Sequence, residues 1–379
     1  EELQSSRGEI VVLDPFAGVG TAVIAGEEAG ANSYGLEAHP FITRVANSKL
    51  LWHTDVTKFL SFSQNILTNA RSLKSQVTLY PELIKNCFPE NVLRDLHNLK
   101  SAWKDKANGT PSSELAWLAI TSILRVCSPV GTAPWQYVLP KKSKSKIIPP
   151  YEAFTIQVEK MAFDMNYFRD RGVKPKGKVF CSDARDCDDI KDCSVDLVIT
   201  SPPYTNNYDY ADATRLEMSF WGEVKKWANL HNKVRHLLIR SCTQHVSIEK
   251  LKLEPTIETL KETPIVYEVK ETCAKLAEER KKHGGKKDYH LMVAAYFSDM
   301  NRVWKALRRV CKDGAIVCFV VGDSAPYGIY VPVDKWLGEL AVNAGFKSFH
   351  FEKLRDRNIK WRNRKHRVLL HEGFLRIEG

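Results

Sequence analysis

The chain has 379 residues, 44% of them hydrophobic and 27% charged, with a formal net charge of +11 and an isoelectric point near 9.1. That length accommodates two or more structural units around a large core. No apolar run approaches the roughly 20 residues of a membrane span, and no signal peptide is seen at the start of the sequence, so no membrane partner is expected. The basic excess favours a polyanionic partner, although charge alone also suits a merely soluble basic protein. Nine cysteines, an odd number, show no C-x-x-C pair and no zinc-type spacing, which reads as reduced thiols in a cytoplasmic protein. The chain begins at Glu1, without methionine, and reaches a strand by Ile10, so residues are expected upstream.

In chain order, Ile10–Leu13 reads as a short buried strand, Phe16–Gly20 as a glycine turn, Thr21–Ala29 as a helix with Thr21 as N-cap, and Ser33–Leu36 as a second strand ending in Glu37. Strand, glycine loop, helix, strand and acid in this order open a doubly wound α/β sheet. From Phe41 to Val126 the periodicity is mostly helical, clearest in Val92–Lys106 and Ser112–Cys127. Ser128–Pro150 reads as a loop rich in Pro, Ser and Lys, and Tyr151–Arg171 as an amphipathic helix whose Phe154, Val158, Met161, Met165 and Phe168 pack a core. The sheet resumes with a strand ending at Asp183 and another over Val195–Thr200. Thr205–Lys287 is helical and charged. A helix, a turn at Asp313-Gly314, a strand, a further helix and two closing strands, Lys347–Leu354 and Arg367–Arg376, complete the chain; the last two suit an antiparallel hairpin.

Two stretches carry chemistry. The first is Asp14-Pro15-Phe16-Ala17-Gly18-Val19-Gly20-Thr21. Glycines at a strand end let a ligand approach the backbone, and the following helix start is electropositive. Glu37 lies 19 residues beyond Gly18, close to the spacing at which an acid meets a ribose diol. A dinucleotide loop would want G-x-G-x-x-G, and the third glycine is missing here. The second is Thr200-Ser201-Pro202-Pro203-Tyr204. Pro-Pro ends a strand well because it removes two backbone donors, but a strand end needs neither the serine nor the tyrosine.

D-P-F-x-G-x-G-T followed by a distant T-S-P-P-Y resembles the DNA amino-methyltransferases that use S-adenosylmethionine, and S-P-P-Y is most similar to their cytosine-N4 branch; D-P-P-Y is typical of adenine-N6 enzymes. The resemblance covers about residues 8–54, 177–210 and 289–376. It implies an α/β fold: a Rossmann-like class I methyltransferase sheet, mostly parallel with a terminal antiparallel hairpin, plus a largely helical insertion. The catalytic domain is expected over 1–54, 177–210 and 289–379, with a mainly helical insertion at 55–176 and a charged helical one at 205–288, either of which could recognise the target. By resemblance Asp14 binds the methionine amino group of S-adenosylmethionine, Glu37 its ribose and Asp183 its adenine, with Phe16, Gly18, Gly20 and Thr21 completing the cofactor site. Asn206, Asn207, Tyr208 and Tyr210 are candidates for a lid.

The catalytic reading has a physical basis. An exocyclic amine on cytosine is a poor nucleophile because its lone pair is conjugated with the ring. Ser201 Oγ and the Pro202 carbonyl can accept its amino hydrogens. Pro202 and Pro203 stiffen the loop, and Tyr204 offers a face to a base taken out of the duplex. No Pro-Cys dipeptide supplies the nucleophile of carbon-5 methylation. Lys353–Arg367 holds eight Lys/Arg residues against one acid, so Arg355, Arg357, Lys360, Arg362, Arg364 and Lys365 are candidate contacts to double-stranded DNA. Lys141, Lys142, Lys144 and Lys146 could clamp phosphates or merely solubilise a linker. The expected activity is methylation of cytosine N4. The alternatives are adenine-N6 methylation, RNA amino-methylation and an inactive DNA-binding module. A restriction or defence partner, phage defence of another kind and solitary regulation all remain open. No metal is expected.

Overall fold

The computed structural model describes residues 8–77, 79–132, 138–144, 146–205, 209–285, 287–357 and 368–379. The chain divides into two units: one made of 1–40, 176–209 and 234–379, the other of 41–175 and 210–233. Sequence reading had placed these boundaries nearer 54, 177 and 288.

The first unit carries the sheet. Its strands are β1 (Val11–Asp14), β2 (Asn32–Leu36), β3 (Gly177–Phe180), β4 (Val195–Thr200), β5 (Cys311–Gly322), β6 (Ser348–Arg357) and β7 (Leu370–Glu378). They lie in the order β3-β2-β1-β4-β5-β7-β6. The first five are parallel, and β7 pairs antiparallel with both β5 and β6. This is the mostly parallel α/β sheet with a terminal antiparallel pair that was expected. Two buried carboxylates stitch it. Glu27, in helix α1 (Thr21–Glu28), accepts from the backbone N–H of Lys176 and Gly177 at 2.9 and 2.7 Å, tying α1 to the start of β3. Asp196 in β4 accepts from the Val11 N–H at 3.0 Å and from Lys312 Nζ at 2.7 Å, joining the beginnings of three strands.

Short helices α2 (Thr243–Glu249) and α3 (Leu253–Glu258) precede the longer α4 (Val266–Lys282), α5 (Tyr289–Val310) and α6 (Val333–Asn343). Residues 234–288, expected to leave the sheet as an insertion, instead share its core: Val246, Leu260, Ile265, Val269 and Leu276 join one buried cluster with Phe297, Trp304, Phe319 and Trp336. Apolar burial of this kind, worth about 1.5–3 kcal/mol per large side chain, outweighs the charged surface pattern that sequence shows. Asp299 on α5 is fully buried and accepts from Arg240 Nε at 2.9 Å and from the Arg240 N–H at 3.0 Å. It also pairs with Arg185 Nη1 at 3.4 Å, so it pins the chain before α2 and the turn after β3 to the same helix.

Four expectations are corrected. β3 stops at Phe180, three residues short of Asp183, because the backbone turns there: the N–H groups of Asp186 and Cys187 both donate to the Asp183 carbonyl. The N-cap of α1 is Gly20, at φ +79, and Thr21 is the first helical residue. Asp313-Gly314 does not precede β5 but lies inside it; Gly314 at φ +75 makes an irregularity where the register against β4 shifts. Ser128–Pro150 contains a short antiparallel pair, Val130–Thr132 with Val138–Ser143.

The second unit is mainly helical, built on Val56–Ser72, Glu90–Lys106, Pro111–Cys127 and Pro150–Asp170, with Arg215–Trp221 returning to it. Asp55 caps the first of these by accepting from the Lys58 N–H at 3.0 Å. Trp117, Phe59, Phe154 and Phe220 are fully buried. Arg44 lies over the Trp117 ring at 3.9 Å and pairs with Glu114 at 3.0 Å. Lys100 donates to the Phe220 carbonyl and lies among the rings of Tyr80, Phe220 and Trp221. Lys144 Nζ donates to the Arg125 carbonyl at 2.9 Å, so that member of the lysine-rich stretch is engaged internally.

Candidate active site

Strand order reverses between β1 and β4, where ligands of open α/β sheets bind beyond the carboxyl ends of the strands. Both motifs leave the sheet there. Asp14, the last residue of β1, and Thr200, the last of β4, meet directly: Thr200 Oγ1 donates to Asp14 Oδ1 at 2.5 Å. The same oxygen accepts from the Phe16 N–H at 3.0 Å, which turns the chain into the glycine loop. Burial pushes the Asp14 carboxyl up to about 6, against the pull of those two bonds.

The loop is held from below and open above. The Ala17 N–H donates to the Leu36 carbonyl at 2.9 Å, anchoring the loop on β2. Gly18 and Gly20 have φ +51 and +79, and a Cβ at Gly18 would meet nothing within 4 Å. Close packing of α1 on the sheet falls to other glycines: a Cβ at Gly26 would strike Ser33, and one at Gly35 would strike Ala17. Val23 stands at the third glycine position of a dinucleotide loop, and its side chain packs where Gly35 and Gly177 leave room. Glu37 faces the loop. Its Oε2 accepts from the Gly18 N–H at 2.9 Å and its Oε1 from the His39 N–H at 2.8 Å. Burial, with a smaller contribution from the nearby Asp14 charge, raises Glu37 to about 7.

Beyond β4, Ser201 is exposed, Pro202 is buried, and Pro203 and Tyr204 are half-buried. Arg357, at the end of β6, places its guanidinium 5.1 Å from the centroid of the Tyr204 ring. It is held there by an Nη1 bond to the Asp323 carbonyl at 2.9 Å, while Arg355 pairs with Glu372 at 2.6 Å. Burial raises the Tyr204 hydroxyl, and a hydrogen bond with Ser201 opposes it. Behind this layer His371 Nδ1 lies 3.0 Å from Asp323 Oδ2 and its Nε2 3.5 Å from Asp334.

The chain is similar to known methyltransferases. It is 25% identical over 410 residues to the type II methyltransferase M.BsoBI of Geobacillus stearothermophilus, covering 94% of this chain and 77% of that protein. It is 24% identical over 359 residues to the type II methyltransferase M.AvaI of Nostoc sp. and to that of Anabaena variabilis, covering 88% of this chain and 73% of each. The chain is a distant homologue of type II methyltransferases. No family model matches it, and no solved structure matches it.

The sequence-derived candidates fall into three groups. Asp14, Phe16, Gly18, Gly20, Thr21 and Glu37 line one loop and the strand end beside it, with Ser201, Pro202, Pro203 and Tyr204 on the adjoining strand end. Asp183 is engaged differently: its carboxylate accepts from the Arg185 N–H at 2.8 Å and pairs with the Arg185 side chain at 2.6 Å. Lys360, Arg362, Arg364 and Lys365, and the lid candidates Asn206, Asn207 and Tyr208, lie outside the described residues. Sequence reasoning missed Thr200 as the partner of Asp14, and Glu372, Asp323 and His371 behind Tyr204. The only signal for Thr200 was its place before Ser201. Nothing in the sequence pairs β7 with the S-P-P-Y loop. No helix among the described residues is long and apolar enough to cross a membrane.

Proposed function

We propose that the protein transfers a methyl group from S-adenosylmethionine to the exocyclic N4 amine of a cytosine flipped out of duplex DNA. The observation that carries the reading is the Asp14–Thr200 hydrogen bond at 2.5 Å. It holds the glycine loop and the Ser201–Tyr204 loop side by side at the switch point, as a transfer between two bound molecules requires.

The loop suits the cofactor on three counts. The Gly18 backbone faces open space. Asp14 is a buried carboxylate suited to an ammonium group. Glu37 is an acid that faces the loop at the Gly18 N–H, at a spacing that suits a ribose diol. When bound, S-adenosylmethionine supplies a methyl group on a sulfonium centre. The chain's own residues orient the acceptor. Ser201 Oγ and the Pro202 carbonyl accept the amino hydrogens and turn the nitrogen lone pair out of conjugation. The fixed φ of Pro202 and Pro203 holds those acceptors still. Tyr204 presents one ring face to the base, and Arg357 covers the ring through a cation–π contact. No covalent adduct is needed, so catalysis rests on positioning and electrostatics.

The similarity to M.BsoBI and M.AvaI supports the methyltransferase part of this reading, and the type II designation of those proteins supports a restriction-modification setting. The helical unit, 41–175 with 210–233, is the proposed reader of the DNA target. A groove there is lined by Arg71, Lys74, Lys85 and Arg94 beside Glu90 and Asp95. The direct test incubates the protein with tritiated S-adenosylmethionine and DNA fragments of defined sequence; incorporation confined to fragments sharing one site is expected. No incorporation into any DNA, with cofactor binding intact, would contradict the proposal.

A further inference from the structure

A second cluster of chemistry-bearing side chains lies in the sheet unit. Asp209 follows the Ser201–Tyr204 stretch, Cys242 is the residue before α2, and His245 lies in the first turn of that helix. One ligand atom from each lies within 4.8 Å of the others, and all three residues are at most 3% exposed. We propose that Asp209, Cys242 and His245 bind a zinc-class divalent cation through Oδ, Sγ and Nε2.

Four features point the same way. First, His245 Nδ1 lies 3.1 Å from the Ile239 carbonyl. A proton donated there leaves Nε2 as a bare lone pair, and Nε2 has no hydrogen-bond partner although it is fully buried. Ligating histidines commonly donate their other ring nitrogen to a backbone carbonyl in this way. Second, that Nε2 is 4.0 Å from Asp209 Oδ1. This is too long for a hydrogen bond but suited to two ligands on one ion. A tetrahedral ion with bonds of about 2.0–2.3 Å holds its ligand atoms about 3.3–3.6 Å apart, so a contraction of about 1 Å closes the cage. Third, the other Asp209 oxygen, Oδ2, is held by Arg235 Nε at 2.7 Å, the kind of outer bond that orients a ligating carboxylate. Fourth, a thiolate with an imidazole and a carboxylate selects zinc over calcium or magnesium. Cys242-x-x-His245 is also a spacing that sequence reading passed over while looking for paired cysteines.

On binding, the Cys242 thiol releases its proton to solvent and the sulfur becomes an anionic ligand. With Asp209 already paired to Arg235, the buried site gains one net positive charge, as any divalent site with a single thiolate does. A solvent oxygen would complete four coordination. The ion would clip the chain just beyond the Ser201–Tyr204 loop to α2 across a long loop. It is therefore a structural site and not part of the methyl transfer.

The test measures metal in the full chain after reconstitution with one equivalent of zinc and gel filtration, then repeats it with cobalt(II). Close to one ion per chain is expected. Cobalt should give a near-ultraviolet thiolate-to-metal band with visible bands of tetrahedral strength. In Cys242→Ser the thiolate band should vanish, and in His245→Ala retained metal should fall by at least tenfold. The wild-type cobalt spectrum decides the matter even if a variant does not fold. Metal retained without a thiolate band, or less than about a tenth of an ion per chain, would overturn the assignment.

Discussion

Gly18 gives the sharpest test of where the cofactor binds. Its φ of +51 means that any L-residue there is strained, and its open Cβ direction means that nothing in the protein clashes with a small side chain. The strain of the left-handed region is about 1–2 kcal/mol, and aspartate tolerates that region better than alanine. On strain alone Gly18→Ala should therefore destabilise the fold at least as much as Gly18→Asp. Strain is also present with and without ligand, so by itself it leaves affinity nearly unchanged. Binding should follow the opposite order. Alanine adds one methyl group where the ligand approaches, costing a few-fold. Aspartate adds bulk and a charge beside Glu37, whose Oε2 accepts from this same N–H at 2.9 Å. A like charge there drives the already raised Glu37 carboxyl further toward its neutral form. The combined loss should reach about 2–3 kcal/mol, on the order of 100-fold in affinity. Calorimetric titration with S-adenosylmethionine, paired with thermal melts, reads both orders at once. An aspartate variant that binds within twofold of wild type would refute the assignment of the loop.

Other predictions follow from the same site. With Glu37 at about 7 and Asp14 at about 6, cofactor affinity should fall by about tenfold between pH 8 and pH 6 as the carboxylates take up protons. Glu37→Gln should flatten that profile; titrations at three pH values check it. The stability of the ligand-free protein should move the other way: both folded pKa values are raised, so their contribution is fully present below about pH 4 and lost as pH rises through about 7, which melts across that range would read. Tyr204→Ala should lose about 1–3 kcal/mol of base stacking and slow turnover while cofactor binding persists, whereas Tyr204→Phe should keep most activity; steady-state kinetics separates stacking from a role of the hydroxyl. Reversing Arg362 and Arg364 to Glu should flatten the salt dependence of DNA binding by about one unit per lost phosphate contact, measured by fluorescence anisotropy at several salt concentrations.

The parts legible in the sequence were those encoded locally. Asp14, the glycines and Glu37 lie on one strand–loop–helix–strand unit, where spacing dictates proximity. Val195–Thr200 was legible because an apolar run ended abruptly in Pro-Pro. Thr21 was misread as a cap because hydroxyl capping is the commoner device, yet Gly20 alone can adopt the φ of +79 found there. The strand before Asp183 was read three residues too long, because Asp183 sits in a turn held by its own hydrogen bond from the Arg185 N–H. Residues 234–288 looked like an exposed insertion because their charges dominate the pattern, while Val246, Val269 and Leu276 turn inward. The cation that covers Tyr204 is Arg357 on β6, more than 140 residues away, and no local pattern announces it. The Asp209–Cys242–His245 cluster is hidden for the same reason, except for its Cys-x-x-His pair.

The central claim concerns the product, and one measurement addresses it directly. Duplex DNA is methylated by the wild-type protein, digested to nucleosides and resolved by mass spectrometry against the three methylated standards. N4-methylcytosine is the expected product. N6-methyladenine without N4-methylcytosine would contradict the choice of base and leave the amine-orienting role of the Ser201–Tyr204 loop standing. 5-Methylcytosine would contradict both, because that chemistry needs a thiolate where this loop carries Ser201.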